Sequence, residues 1–162
     1  MDADSTTPHA LRCTGVAPGG PDRPTPFGLA VLVHHERHVR RAVIALVHGD
    51  RVALDLPEPV TLRHGDRLVL ADGREAEVIA GEEALIEVTG RDAKHLAEIA
   101  WHLGNRHTPA QIEAGRILVA REPVLMRMLE GLGAKIRRVD EPFSPEHGAY
   151  HGHAHGSDSH EH

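Results

Sequence analysis

The stretch ALIEVTGRDAKHLAEIAWHLGN, residues 84–105, decides the fold because it joins a strand pattern directly to a helix pattern. The short apolar run from Ala84 to Thr89 predicts a strand. Asp92 is a favoured N-cap residue, and the apolar side chains after it recur at the spacing of one helix face. These side chains are Leu96, Ile99, Ala100 and Leu103. We expect Gly104 and Asn105 to end the helix.

The residues that follow repeat the same two patterns in a defined order. Residues 111–114 and 116–120 flank Gly115 and predict a hairpin. A second helix is expected from Pro123, with a last strand over residues 134–139. The order strand, helix, strand, strand, helix, strand predicts a ferredoxin-like βαββαβ domain over residues 83–146.

The residues before this domain, 25–82, predict a small all-β domain. Val52, Leu54 and Leu56 alternate with less apolar residues, as expected of a half-buried strand. Glycine stands beside aspartate at three breaks between the apolar runs, where hairpin turns require a positive φ. Residues 1–24 are rich in proline, glycine and threonine, and we interpret them as a disordered leader. The predicted fold class is therefore α+β, with the all-β domain first.

Composition excludes several classes of function. The chain has 162 residues and a formal net charge of −6, which argues against nucleic acid or an anionic membrane as the main partner. Cys13 is the single cysteine and has no internal disulfide partner. The start of the chain has no secretion-signal pattern, and no apolar run approaches the length of a membrane helix. We expect a cytoplasmic protein.

Histidine is the unusual residue, with fifteen copies. Residues 147–162 predict a disordered, flexible His-rich tail, because glycine, alanine and serine separate its six histidines. They are His147, His151, His153, His155, His160 and His162. Neutral imidazole is a good ligand for nickel, zinc and copper(II), so the tail predicts metal binding. An appended purification tag is the alternative, but the interruptions favour a native segment.

Two further groups of histidines lie outside the tail. His95 and His102 are expected on one flank of the first helix, and His107 on the loop after it. No single protomer offers three or four clustered ligands there, and by residue type alone His107 fits an ordinary surface histidine better than a ligand. A two-fold axis beside His107 would reverse that interpretation. The run His34 to His38 lacks the zincin spacing and is interpreted as a solvated polar connection.

Several motifs together resemble the UreE family of urease accessory proteins, which are nickel metallochaperones. The resemblance covers roughly residues 38–162, and its most specific part is the Gly-Asn-Arg-His motif that ends at His107. The motifs are LRHGDRLVLADGR (62–74), HLGNRH (102–107) with Pro109 and Gln111-Ile112, MLEGLG (128–133), PFSPE (142–146) and GAY (148–150).

The resemblance implies a homodimer joined through the ferredoxin-like domain, in which His107 and its two-fold mate share a metal site. It implies that the tail histidines His151, His153, His155, His160 and His162 add ligands, with His102 and His147 as secondary candidates. It also implies delivery of nickel to the urease apoprotein activation complex through the GTPase UreG. Some family members have further histidines on the strand after the hairpin, where this chain has residues 119–123, and Arg121 in that stretch cannot bind a metal.

Other functions stay open at this stage. A metallohydrolase needs a fixed ligand cluster and a general base, and the sequence shows neither clearly, so we expect no enzyme activity. A passive His-rich store of nickel or zinc needs only the tail. Ligand chemistry alone does not choose the ion, because copper(II) binds imidazole sites more tightly than nickel or zinc. Nickel follows from the resemblance.

Overall fold

The computed structural model of the chain describes residues 10–146, which fall into two compact units. The first unit extends to Ala84 and includes residues 140–143, and the second contains residues 85–139 and the chain from Ser144 onward. The predicted boundary between residues 82 and 83 lies two residues before this division. The predicted His-rich tail and the first nine residues of the predicted leader lie outside the described residues.

The first unit is a six-stranded sheet with the strand order β2-β6-β5-β1-β4-β3. Its strands are β1 (Leu11–Ala17), β2 (Gly28–Leu32), β3 (His38–Ala45), β4 (Arg51–Thr61), β5 (Arg67–Leu70) and β6 (Glu75–Ala80). The aliphatic side chains on the inner faces form one core, and Val52, Leu62, Leu68 and Val78 in it are fully buried. The prediction of an all-β first domain is confirmed.

Strand β1 corrects the prediction that residues 1–24 form a disordered leader. Leu11–Ala17 lies in the middle of the sheet, parallel to β4 and antiparallel to β5. Cys13 is buried in the core, where burial raises the pKa of its thiol. The prediction was wrong here because a central strand is stabilised by two distant neighbours, which the surrounding proline and glycine residues do not reveal.

The second unit is a four-stranded sheet with two helices and the strand order β10-β7-β9-β8. Its elements are β7 (Glu82–Thr89), α1 (Ala93–Asn105), β8 (Ala110–Glu113), β9 (Arg116–Ala120), α2 (Pro123–Gly131) and β10 (Lys135–Pro142). Strand β9 runs antiparallel to both β7 and β8, so the first strand is separated from the second by the third. This is the split arrangement of a ferredoxin-like domain, and that prediction is confirmed.

Helix α1 begins as predicted but ends later. The Asp92 carboxylate accepts a hydrogen bond of 2.8 Å from the backbone N–H of His95, which satisfies an otherwise unpaired donor of the first turn. Gly104 and Asn105, predicted to end the helix, are still helical, and Arg106 is the C-cap. Within residues 10–146, neither helix has the length and apolar character needed to cross a bilayer.

Candidate metal centre

His107 lies at the turn that closes α1, in a backbone conformation that favours glycine. Its φ is +54°, and it is the one non-glycine residue with a positive φ among residues 10–146. Its N–H donates to the Gly104 carbonyl at 3.0 Å, and the N–H of Thr108 donates to the Leu103 carbonyl at 3.1 Å. These two bonds form a Schellman motif, in which the residue at the position of His107 must be left-handed.

Helix α2 closes with the same motif but with glycine at that position. Gly133 has a φ of +75°. Its N–H donates to the Glu130 carbonyl at 2.9 Å, and the N–H of Ala134 donates to the Leu129 carbonyl at 3.0 Å. A side chain in the left-handed region costs about 1–2 kcal/mol for ordinary residues, and glycine avoids that cost. The chain therefore bears a local strain at His107 that it avoids at Gly133.

The imidazole of His107 is exposed and available as a ligand. Neither of its ring nitrogens is hydrogen-bonded by another residue of the described part of the chain. Residues 10–146 contain no group of three or more histidine, cysteine, aspartate or glutamate side chains placed to hold an ion. His107 is thus an exposed imidazole without a group of further ligand side chains around it in the described part of the chain.

The two histidines of α1 differ more than the sequence predicts. His102 is half-buried in the last turn, and its ring meets that of Trp101 edge to face at 5.1 Å. His95, expected on the same flank, is only 4% exposed. Its Nδ1 accepts from the N–H of Arg91 at 3.2 Å and its Nε2 donates to the Leu132 carbonyl at 2.8 Å. With both nitrogens engaged, His95 joins the start of α1 to the end of α2 and is not a metal ligand.

The run His34 to His38, interpreted as a solvated connection, is instead partly built into the first unit. Residues His34–Arg37 form a single turn of 3₁₀ helix. The guanidinium of Arg37 is buried and donates to the Phe143 carbonyl, and burial lowers the pKa of Arg37. The backbone N–H of His34 donates to the Glu83 carboxylate at 2.6 Å. His35 is exposed, and His38 Nδ1 lies 3.1 Å from the Thr61 hydroxyl.

An ion-pair network crosses the sheet of the second unit. Arg137 and Arg116 both donate to the Glu87 carboxylate, at 2.8 and 3.0 Å to its Oε2. These hydrogen bonds, that of Arg137 first, lower the pKa of Glu87. Arg116 also donates to Glu113 at 2.6 Å and lowers the pKa of that carboxyl group. The network extends from the centre of the sheet to its edge strand β8.

Arg121 has a structural role in the same unit. Its guanidinium donates to the Leu85 carbonyl at 3.3 Å and to the Val139 carbonyl at 2.8 Å. These bonds join β7 and β10 beyond the end of β9. Arg121 thus stabilises the sheet.

An apolar groove of about 470 Å³ runs beside α1. It is lined by Leu96, Ala97 and Ala100 of the helix, and by Ile112 and Ile117 of the β8–β9 hairpin. Ile112 is 52% exposed, and Trp101 on the neighbouring turn of the helix is 66% exposed. An apolar groove with a large exposed apolar side chain such as Ile112 in its wall is typical of a protein interaction surface.

The chain is similar to known proteins over both of its units. The model of the UreE urease accessory protein N-terminal domain matches residues 23–81, and that of the C-terminal domain matches residues 83–162. The urease accessory protein UreE of Rhizobium meliloti is 53% identical over 145 residues, which are 90% of this chain and 94% of the relative. UreE of Agrobacterium fabrum is 50% identical over 93% of this chain and 92% of its own. UreE of Mesorhizobium japonicum is 56% identical over 78% of this chain, but only 64% of that relative is covered.

Proposed function

This chain belongs to the UreE family of urease accessory proteins, and on that basis we propose that it is a nickel metallochaperone. It binds Ni(II) as a homodimer and delivers the ion for assembly of the urease active site. The family membership gives the accessory role in urease maturation. The choice of nickel, the dimer and the ligands is our proposal.

The observation that carries the proposal is the conformation of His107. An exposed imidazole occupies a left-handed position at which the other helix of the unit has glycine. Local strain that is retained at an exposed residue is a reason to assign that residue a function. The two hydrogen bonds of the Schellman motif fix the backbone at His107, so the imidazole is presented from a defined point. Neutral imidazole is a ligand suited to nickel.

One imidazole does not hold a transition metal firmly, and a two-fold axis beside His107 doubles the ligand count. The apolar groove between α1 and the β8–β9 hairpin, in which Ile112 is half-exposed, supports an interface formed by this face of the second unit. We place His107 and the partner's His107 on either side of one ion. The tail histidines His151, His153, His155, His160 and His162 supply further ligands, and His102 and His147 are secondary candidates. Zinc or copper(II) is expected to bind the same donors in vitro.

The proposed partners are the GTPase UreG and the urease apoprotein activation complex. A passive nickel or zinc store is the competing function, and it requires only the tail. The two functions differ in their dependence on His107, because a store built on tail histidines loses little when one distant imidazole is removed. Neither function requires catalysis, so we expect the purified chain not to hydrolyse urea.

The test is activation of urease apoprotein at limiting nickel with UreG and the other activation proteins present. We expect His107→Ala to lower the yield of active urease strongly, whereas His102→Ala, on the preceding turn, has a smaller effect. Calorimetric titration of both variants with nickel is run in parallel. Full activation and unchanged nickel stoichiometry with His107→Ala would refute the proposed site and favour the store.

A further inference from the structure

The residues after the last strand lie along β8, at the edge of the second sheet. The N–H of Ser144 donates to the side-chain oxygen Oε1 of Gln111 at 2.7 Å. The N–H of Glu146 donates to the backbone carbonyl of Ala110 at 2.9 Å. Strand β8 is an outer strand of that sheet, so these bonds use acceptors on an edge that β9 does not occupy.

The amide group of Gln111 is oriented by a charged partner. Its Nε2 donates to Oε1 of Glu113 at 2.6 Å, and a carboxylate accepts hydrogen bonds only. The nitrogen of the amide is therefore fixed toward Glu113, which leaves the oxygen toward Ser144. Glu113 is itself held by Arg116 at 2.6 Å, within the network around Glu87. The Gln111 oxygen that accepts from Ser144 is thus held in position by an ion-pair network that extends to Glu87 in the centre of the sheet.

The position of this contact relates the His-rich tail to the metal site. Ala110 follows His107 by three residues, which span at most about 10 Å of chain. The tail begins directly after Glu146. We propose that Gln111 is a positioning residue that holds the segment Ser144–Glu146 against β8, so that the tail leaves the domain beside His107. This inference rests on the proposed nickel site and assigns Gln111 no contact with the ion.

The spacing along the chain gives the expected size of the effect. His151 follows Glu146 by five positions. An extended chain of that length reaches about 17 Å, enough to approach His107 from Ala110. Without the contact, the nearest upstream residue that the fold holds is Phe143, which is buried, accepts from Arg37 and lies eight residues before His151. Since effective concentration falls roughly as the −3/2 power of tether length, the loss is about twofold.

The test compares Gln111→Met in the full chain and in a chain that ends at Gly148. Methionine keeps the length of the side chain and removes both hydrogen bonds. Amide hydrogen exchange of the metal-free full chain first measures whether Ser144 loses protection. Nickel titration then measures affinity, and we expect a two- to tenfold loss in the full chain and no change in the shortened chain.

Asp66→Ala is the matched control. It removes another side-chain acceptor of a backbone N–H, the 2.7 Å bond from Arg63, but in the first unit. We expect it to change neither Ser144 exchange nor nickel affinity.

Three results would each overturn the inference: unchanged Ser144 exchange in Gln111→Met, lost protection with unchanged nickel affinity, or an equal loss of affinity in both chain lengths. Failure of the proposed function is a separate result. It appears as unchanged nickel binding in His107→Ala, whatever the exchange of Ser144 shows.

Discussion

Replacing His107 by glycine separates the stability of the fold from metal binding. Glycine removes the imidazole but fits the left-handed backbone at φ +54° without steric cost. His107→Ala removes the same imidazole and keeps the strain, because alanine also has a Cβ. Most single substitutions in a protein destabilise it. We expect His107→Gly to be an exception, with a fold that is more stable and a metal site that is lost.

The size of the effect follows from two opposing terms. Relief of the left-handed strain contributes about 1–2 kcal/mol. The greater freedom of glycine in the unfolded chain removes about 0.4–1 kcal/mol of that gain. The net stabilisation is about 0.8 kcal/mol at the midpoints of the two ranges, about 1.5 less about 0.7, and about 0–1.6 kcal/mol at their limits; the midpoint value raises Tm by about 2–3 °C for a chain of this size. His107→Ala is expected to leave Tm unchanged to within about 1 °C, since the exposed ring has no packed contacts to lose.

The assay is thermal unfolding at one protein concentration with a chelator present, because bound metal or a change in association would shift Tm by itself. Gly133→Ala is the control at the equivalent position of α2. The nearest heavy atom to an added Cβ there is His95 Cε1 at 4.0 Å, so space is available and the backbone angle decides the outcome. We expect Gly133→Ala to lower Tm by a similar amount.

Two results would refute the reasoning on His107. A His107→Gly chain no more stable than His107→Ala would show that the left-handed conformation carries no cost at this turn. A His107→Gly chain that binds nickel and supports urease activation as well as the unaltered chain would show that the strain is unrelated to metal binding.

Four further outcomes are expected. His95→Ala leaves the half-buried Leu132 carbonyl without its donor and should cost about 1–3 kcal/mol in urea unfolding, while the nickel stoichiometry of the folded chain stays unchanged. Removal of residues 149–162 should lower the number of nickel ions bound in calorimetry but leave at least one per dimer; loss of all binding would contradict a site on the folded domain. The lowered pKa of Glu87 means that its carboxylate stabilises the fold above about pH 4.3, and that this contribution is lost as pH falls through the lowered pKa. Glu87→Gln should therefore be less stable than the unaltered chain by about 1 kcal/mol at pH 7 and equally stable near pH 2, in urea unfolding at both values. Sedimentation should show a metal-free dimer at micromolar concentration, and a monomer would contradict the shared site.

The architecture of the second unit was predictable because its signals are local. The apolar face of α1, the Asp92 cap and Pro123 at the start of α2 each lie within one element. The order of such elements leaves few ways to pair the strands, and the ferredoxin-like arrangement follows. The first unit was predictable where strands alternate, as in β4 from Val52 to Leu56.

The sequence did not predict strand β1 because the strand contains an irregularity. Its pairing with β5 shifts register between Cys13 and Gly15, which indicates a β-bulge. The bulge interrupts the alternation of buried and exposed side chains, so the period of two is lost within seven residues. Strand β1 is stabilised by pairing with β4 and β5, which are distant in sequence. No residue pattern within the segment predicts that pairing.

The candidate site was predicted from the family resemblance, because residue type alone favoured an ordinary surface histidine at His107, and the sequence did not predict its geometry. Gly104 and Asn105 are better terminators by composition than His107, so the sequence assigns the helix end two residues early. The left-handed position of His107 depends on two backbone hydrogen bonds, from His107 to Gly104 and from Thr108 to Leu103, which no local sequence pattern predicts. The sequence put His95 on a flank of α1 but did not reveal that its Nε2 donates to the Leu132 carbonyl, at the end of another helix. Gln111 was noted only within a motif, and its contact with Ser144 joins residues far apart in sequence.

A protein that delivers a metal ion must release the ion to a partner, whereas a storage protein only has to bind it. A shell of four rigid ligands resembles a closed structural site and holds its ion. Under the proposed function, the fold fixes only His107 of each protomer, and the rest of the shell comes from residues joined through the tail. Tethered ligands can leave and return one at a time. The effective concentration of each ligand at the ion depends on the length of its tether. The left-handed backbone at His107 and the contact of Gln111 with Ser144 then have complementary roles. The backbone at His107 sets the position at which the ion is bound. The contact with Ser144 keeps the start of the tail, which carries the exchangeable ligands, close to that position. A variant that lengthens the tail between Glu146 and His151 with glycine and serine should therefore weaken nickel binding gradually, whereas His107→Ala removes the fixed site in one step.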